Sequence, residues 1–193
     1  MTMRQYVARS LMFAIILSFS APPLSAGAAP NRLTQCQREK IKALQSTVKK
    51  VYTCTGGELK KSGVTINTFD ANCVSDVRDK FTSKWEKAIE KAAKKDVSCF
   101  NAPGPVTVAD GAVTSATDVS AILRPGFAPG DNANPNAVKI LNRLMKTSET
   151  YLRKTLNLHA TNVAKPNLTK LASKIDRAAS SLPERGEYGS FDV

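Results

Sequence analysis

The chain has 193 residues and a formal net charge of +12, from 28 basic and 16 acidic residues. It holds one histidine and four cysteines, and no P-loop, dinucleotide fingerprint, C-x-x-C-H haem site or H-E-x-x-H motif, so no cofactor, metal or catalytic group is expected of it. The positive balance favours solubility and weak attraction to anionic surfaces, and by itself defines no partner.

Residues 1–28 read as a secretory signal peptide. Arg4 and Arg9 lie near the start with no acid beside them, and Leu11 to Phe19 is apolar apart from Ser18. Pro22-Pro23 then breaks the run, and Ser25, Ala26, Gly27, Ala28 and Ala29 offer a small-residue exit. Those are the three parts of an export signal, with cleavage expected after Ala26 or Ala28. The alternative is an uncleaved anchor, but the run is short of the roughly 20 apolar residues a bilayer span needs. No later run is long enough for a span. Without the signal the two arginines are lost and the charge falls to +10. A periplasmic or secreted location is expected.

Residues 30–99 read as two helices. Leu33, Ile41, Leu44, Val48 and Val51 keep helical spacing, and Thr55-Gly56-Gly57 is the expected stop. After a loop, Asn67 with Asp70 suits a second helix start. Cys73, Val77, Phe81, Trp85, Ala88 and Ala92 then form an apolar stripe.

Cys36, Cys54, Cys73 and Cys99 are separated by 17, 18 and 25 residues. That spacing lacks the close ligand pairs of a zinc site and fits two disulfides in an oxidising compartment. Cys36 and Cys54 lie five turns apart on one helix edge, about 27 Å along the axis, so they cannot bond to each other. An antiparallel hairpin pairs Cys54 with Cys73 near the turn and Cys36 with Cys99 at the open end. A parallel arrangement pairs Cys36 with Cys73 and Cys54 with Cys99, and the loop is long enough to allow it. The short connection favours the antiparallel form, with Val97 and Ser98 leaving the helix so that Cys99 folds back.

The pattern Cys36, Cys54, Cys73, then Lys80-Phe81, Trp85, Lys87-Ala88, Lys91 and Cys99 resembles a cysteine-containing helical-hairpin repeat of secreted proteins of Gram-negative bacteria. The resemblance covers about Cys36 to Cys99. It implies an exported helical hairpin and lends no activity, substrate or catalytic residue.

Residues 100–134 are rich in Pro, Gly and Ala and read as a linker. Val106-Thr107-Val108 before Asp110-Gly111 suggests a small β-hairpin, and Asp118 to Leu123 a short helix. Residues 135–182 read as a helical pair. Asn134-Pro135 starts the first, with Val138, Leu141, Met145, Ser148 and Leu152 along one face. Lys165-Pro166 breaks it, and Asn167 caps the second. Pro183 ends that helix, and residues 183–193 read as a loose tail. The expected fold is all-α: a disulfide-stapled antiparallel hairpin plus two C-terminal helices, an irregular four-helix bundle.

Candidate chemistry is sparse. His159 lies near a helix end with no triad partner beside it, and reads as a capping or surface group. Glu86 and Glu90 project together, but Lys87, Lys91 and Lys94 surround them, which reads as a solvated face. Asp131 to Asn134 lacks the spacing, glycine and final glutamate of a calcium loop. Lys80, Lys84, Lys87, Lys91 and Lys94 recur every three or four residues on one side of the second helix. Their functional reading is an anion-binding edge. Their bland reading, favoured by the charge-run rule, is a soluble face partly paired through Asp76–Lys80 and Glu90–Lys94. Nucleic acid is the weakest ligand, since Phe81 and Trp85 fall on the apolar stripe, where they pack instead of stacking on bases. The expected role is that of an exported non-enzymatic module, binding or envelope-structural; the residues name no partner, and an anionic envelope polymer or a protein are the candidates. The second expectation is a basic effector that binds anionic envelope polymers or membrane surfaces.

Overall fold

The computed structural model describes residues 30–63, 69–99, 103–124, 134–164 and 167–180. The signal segment, the Asn67 start, the Lys165-Pro166 break and the tail from Pro183 lie outside them. Among the described residues there are five helices and no strand: α1 (Pro30–Ser62), α2 (Ala71–Ala93), α3 (Pro105–Leu123), α4 (Pro135–Ala164) and α5 (Leu168–Ala179). The fold is all-α, as the 3.6-residue periodicity predicts.

Helix α1 runs past the expected stop at Gly56-Gly57 to Ser62. Glycine inside a helix costs about 1 kcal/mol, and two contacts offset it. Leu59, one turn on, is buried in the core. A Cβ on Gly56 would stand 2.9 Å from Asn142 Oδ1 of α4, so its absence lets the helices approach. The true stop is Gly63, at φ 77°, whose N–H donates to the Leu59 carbonyl at 3.1 Å, a left-handed cap. Gly57→Ala, which meets nothing within 4 Å, is therefore expected to stabilise by about 0.5–1 kcal/mol. Gly63→Ala is expected to destabilise by about 1–2 kcal/mol, and urea midpoints separate the two.

Helix α2 starts at Ala71, with Asp70 as its cap. The Asp70 carboxylate accepts from the Cys73 N–H at 3.0 Å, and that bond, with Lys61 nearby, holds the carboxyl below its usual range. At the other end the chain turns back as expected. Asp96 adopts φ 54°, and the Val97 and Asp96 N–H groups donate to the Ala92 and Ala93 carbonyls at 3.1 and 3.0 Å. This is a Schellman ending, with Val97 buried against Ala92. It delivers Cys99 to Cys36, with Cα atoms 6.3 Å apart, and Cys54 meets Cys73 at 5.9 Å. The pairing is the nested, antiparallel one.

The segment 100–134 departs most from expectation. In place of a linker with a small β-hairpin, its centre is the nineteen-residue helix α3. Val106-Thr107-Val108 alternates over too few residues to distinguish the two periods. Beyond it Val108, Ala109, Ala112, Ala116 and Val119 are all buried, at spacings of one, three, four and three. Pro105 at the first helical position suits a helix start, and Asp110 pairs with Arg78 of α2 at 2.7 Å instead of forming a turn. The later starts hold: Asn134 Oδ1 accepts from the Asn136 N–H at 2.9 Å, and Asn167 Oδ1 from the Lys170 N–H at 2.8 Å.

Helix α1 is central. It packs against α4 on one side and α2 on the other, while α3 touches all three and α5 packs on α4. One continuous core draws on α1 to α4, from Ile41 through Phe81, Trp85 and Ala116 to Leu156. Cys99 thus marks where the disulfides end and not where the packing unit ends. Four helices form the bundle, and α5 adds Ile175, Ala178 and Ala179 at its edge. No described helix is long and apolar enough to cross a membrane.

Candidate anion-binding face

The lysine stripe of α2 divides in two. At its ends, Lys80 pairs with Asp76 at 2.6 Å and Lys94 with Glu90 at 2.8 Å. The second bond lowers the Glu90 carboxyl and raises the Lys94 ammonium from their ordinary values. In the middle the side chains reach toward α1. Lys84 Nζ donates to Ser46 Oγ at 3.1 Å, and Lys91 stands 3.8 Å from Glu39. Lys87 is exposed.

These middle lysines line one wall of an open groove between α1 and α2. Lys42 of α1 faces Lys84, Lys87 and Lys91 across about 290 Å³, with Ala43 and Ala88 on the floor. The small residues follow from helix approach: Ala43 and Ala88 are both buried where the helices meet, so no long side chain fills the space above them. Past Glu39 the groove continues into a hollow of about 180 Å³, which ends at Cys36 and Ala92 with Lys94 and Lys95 on the rim.

Two further cationic stripes flank the groove, and the sequence reading missed both. On α1 the exposed residues Gln35, Arg38, Lys42, Lys49 and Thr53 follow helical spacing and include no carboxylate. On α4 Lys139, Arg143, Lys146, Thr150, Arg153 and Asn157 are exposed at spacings of four, three, four, three and four. Glu149 is the acid of that helix; its side chain is 12% exposed and held by Arg153 at 3.0 Å. A second groove, of about 350 Å³, lies between α1 and α4 and is lined by Gln45, Thr150, Arg153, Lys154 and Asn157. Gln45 Nε2 donates across it to the Arg153 carbonyl at 3.3 Å. The signal was available: a helix with a clean apolar stripe has a complementary stripe, and here that complement is basic.

The two grooves lie on either side of the exposed α1 ridge, so they share a face. Helix α3 packs on α1 away from that ridge, and carries Asp110 and Asp118 with no basic residue. The α2–α1–α4 layer is thus charge-polarised, with a basic open side and an uncharged-to-acidic covered side.

The remaining candidates stay apart from this face. Glu86 and Glu90 are both exposed, as a solvated pair would be. His159 lies half-buried, five residues before the end of α4, and burial lowers its imidazole below the usual value. Tyr52 is buried, and burial first, then the Glu149 charge, raise its phenol well above the ordinary value. Among the described residues, no three His, Cys, Asp or Glu side chains come together as a metal site would need.

No family model, curated protein or solved structure matches this chain. The functional reading therefore rests on the geometry.

Proposed function

We propose that this chain works outside the cytosol as a non-enzymatic binding module, and that its basic face holds an anionic envelope polymer. One observation carries the reading: the exposed stripes of α1 and α4 present Arg38, Lys42, Lys49, Lys139, Arg143, Lys146, Arg153 and Lys154, while the acids beside them, Glu39 and Glu149, are 32% and 12% exposed and face Lys91 and Arg153. A helix face that is merely soluble carries both signs, as α2 does with Asp76, Asp79, Glu86 and Glu90. A face of one sign raises the local concentration of an opposite polymer. The two disulfides and the signal-like start support an oxidising compartment. The exposed large apolar residues among those described are Val106 on α3 and Leu168 on α5, so the basic face has no apolar side chain to insert into a bilayer. Phe81 and Trp85 are buried, which leaves nothing there to stack on nucleic-acid bases.

Binding of a soluble, fluorescently labelled acidic polysaccharide is expected at low ionic strength and to weaken steeply as salt rises. Lys49→Glu with Lys146→Glu, one reversal on each helix, should weaken it about tenfold, while Lys174→Glu on α5 leaves it within twofold. Absence of binding at low salt removes the proposal. Equal binding to anionic vesicles, with no preference for the polymer, replaces it with a membrane-surface role.

A further inference from the structure

Resting on that reading, we infer that the groove between α1 and α2 seats one strand of an acidic glycan in which a charged sugar alternates with a neutral, hydroxyl-bearing one. The face holds two grooves, each shaped for a chain and not a sheet; the one between α1 and α4 is lined by polar side chains alone, and this one is not. Its floor is Ala43 and Ala88, small and apolar. Such a floor accepts the C–H face of a sugar ring and gives a phosphodiester chain nothing to bond.

The charges on its walls alternate. Lys42, Lys84 and Lys87 surround the wider part, and Lys94 and Lys95 the narrower. Between them stand Glu39 and Lys91, which line both parts and form a pair without net charge, 3.8 Å apart. The Glu39 carboxylate is 32% exposed and carries only acceptors. Beside it an anionic residue gains nothing, whereas a hydroxyl donates to it. Lys87 and Lys94 lie seven residues apart on α2, about 10 Å along the axis, so the two cationic stations are separated by more than one sugar ring. A ligand charged at every residue sets a carboxylate or phosphate against Glu39. One charged at every second residue sets a hydroxyl there.

The test titrates the oxidised full-length chain with three labelled polymers of matched length: hyaluronan, with a carboxylate on every second sugar; polygalacturonate, with one on every sugar; and polyphosphate. Lys42→Gln with Lys87→Gln should weaken hyaluronan about tenfold, at about threefold per exposed charge pair, and the two uniform polymers less than twofold. Glu39→Gln should tighten both uniform polymers about fivefold relative to hyaluronan. The groove assignment falls if the lysine variant weakens all three alike, if Glu39→Gln leaves the ratios unchanged, or if hyaluronan alone fails to bind. In each case the basic-face reading survives. Failure of all three polymers at low salt removes that reading as well.

Discussion

Replacing Cys36 and Cys99 together by alanine is expected to lower the unfolding free energy by about 4 kcal/mol, and replacing Cys54 with Cys73 by about 3 kcal/mol. The difference follows from loop length. The first bridge joins residues 63 apart and the second residues 19 apart, and in the chain-entropy model the longer closed loop restricts the unfolded chain more. Against the 5–15 kcal/mol that holds a typical domain together, either loss is large. The native-state consequences run the other way. Cys54 belongs to the continuous core, whereas Cys36 and Cys99 form a separate small cluster with Ala88, Ala92 and Val97. Cutting the first bridge should therefore also release the 94–99 turn locally. Urea unfolding gives the two free energies, and amide exchange at Val97 gives the local opening. A larger global loss from the Cys54–Cys73 variant would show that native strain or residual denatured structure outweighs loop entropy.

Reduction of the two bridges affects more than the hairpin. Helix α1 is shared: it packs on α4 as well as on α2, so loosening it exposes Leu141, Leu152 and Leu156 too. The sequence shows where covalent ties end more clearly than where a core ends.

What was legible depended on residue type. The cysteine spacing carried the hairpin and its pairing, because helix geometry leaves few ways to bring those sulfurs together. Helix starts marked by Asn134 and Asn167 were legible because their side-chain oxygens do one recognisable thing. Helix α3 was legible only in its last stretch, Asp118 to Leu123, because Ala, Thr, Ser and Val fill both loops and helices, and its stripe of small residues gains meaning only from the helices that press on it. Gly56-Gly57 misled for a related reason: glycine stops a helix where the chain needs left-handed φ, and that need arises at Gly63 instead. At the candidate face, the α2 stripe could be read from spacing alone. Which of its lysines are already satisfied depended on Glu39 and Ser46, which lie on another helix.

One position hid behind its polarity. Cys36 and Cys54 fix one edge of α1 against α2, and helical spacing along that edge passes through Lys40, Ala43, Thr47 and Val51, all buried. Lys40 is 2% exposed, its Nζ 4.2 Å from the centroid of the Trp85 ring. Trp85 is equally buried, with Phe81 at 5.4 Å between centroids. Trp85→Ala is expected to cost about 3–5 kcal/mol through the cavity it leaves. It also removes the ring face that attracts the ammonium, so Lys40 is left with a less favourable burial. Burial already lowers the Lys40 ammonium to about 8 from its ordinary 10.5. The sign follows from proton counting: between those values the unfolded chain binds more protons than the folded one, so stability rises as pH rises through that window. Below about pH 8 the cost of holding the charge inside is carried in full. Lys40→Met, of similar length and no charge, should thus raise stability at pH 7 by about 1–2 kcal/mol and lose most of that advantage by pH 10. In the Trp85→Ala background its gain should be larger, because the ring no longer offsets the buried charge. Urea midpoints for the four proteins of this cycle, at pH 7 and at pH 10, measure the coupling directly. A Lys40→Met gain that does not change with pH would mean that the ammonium reaches solvent, and that its place on the ring is a matter of packing and not of charge.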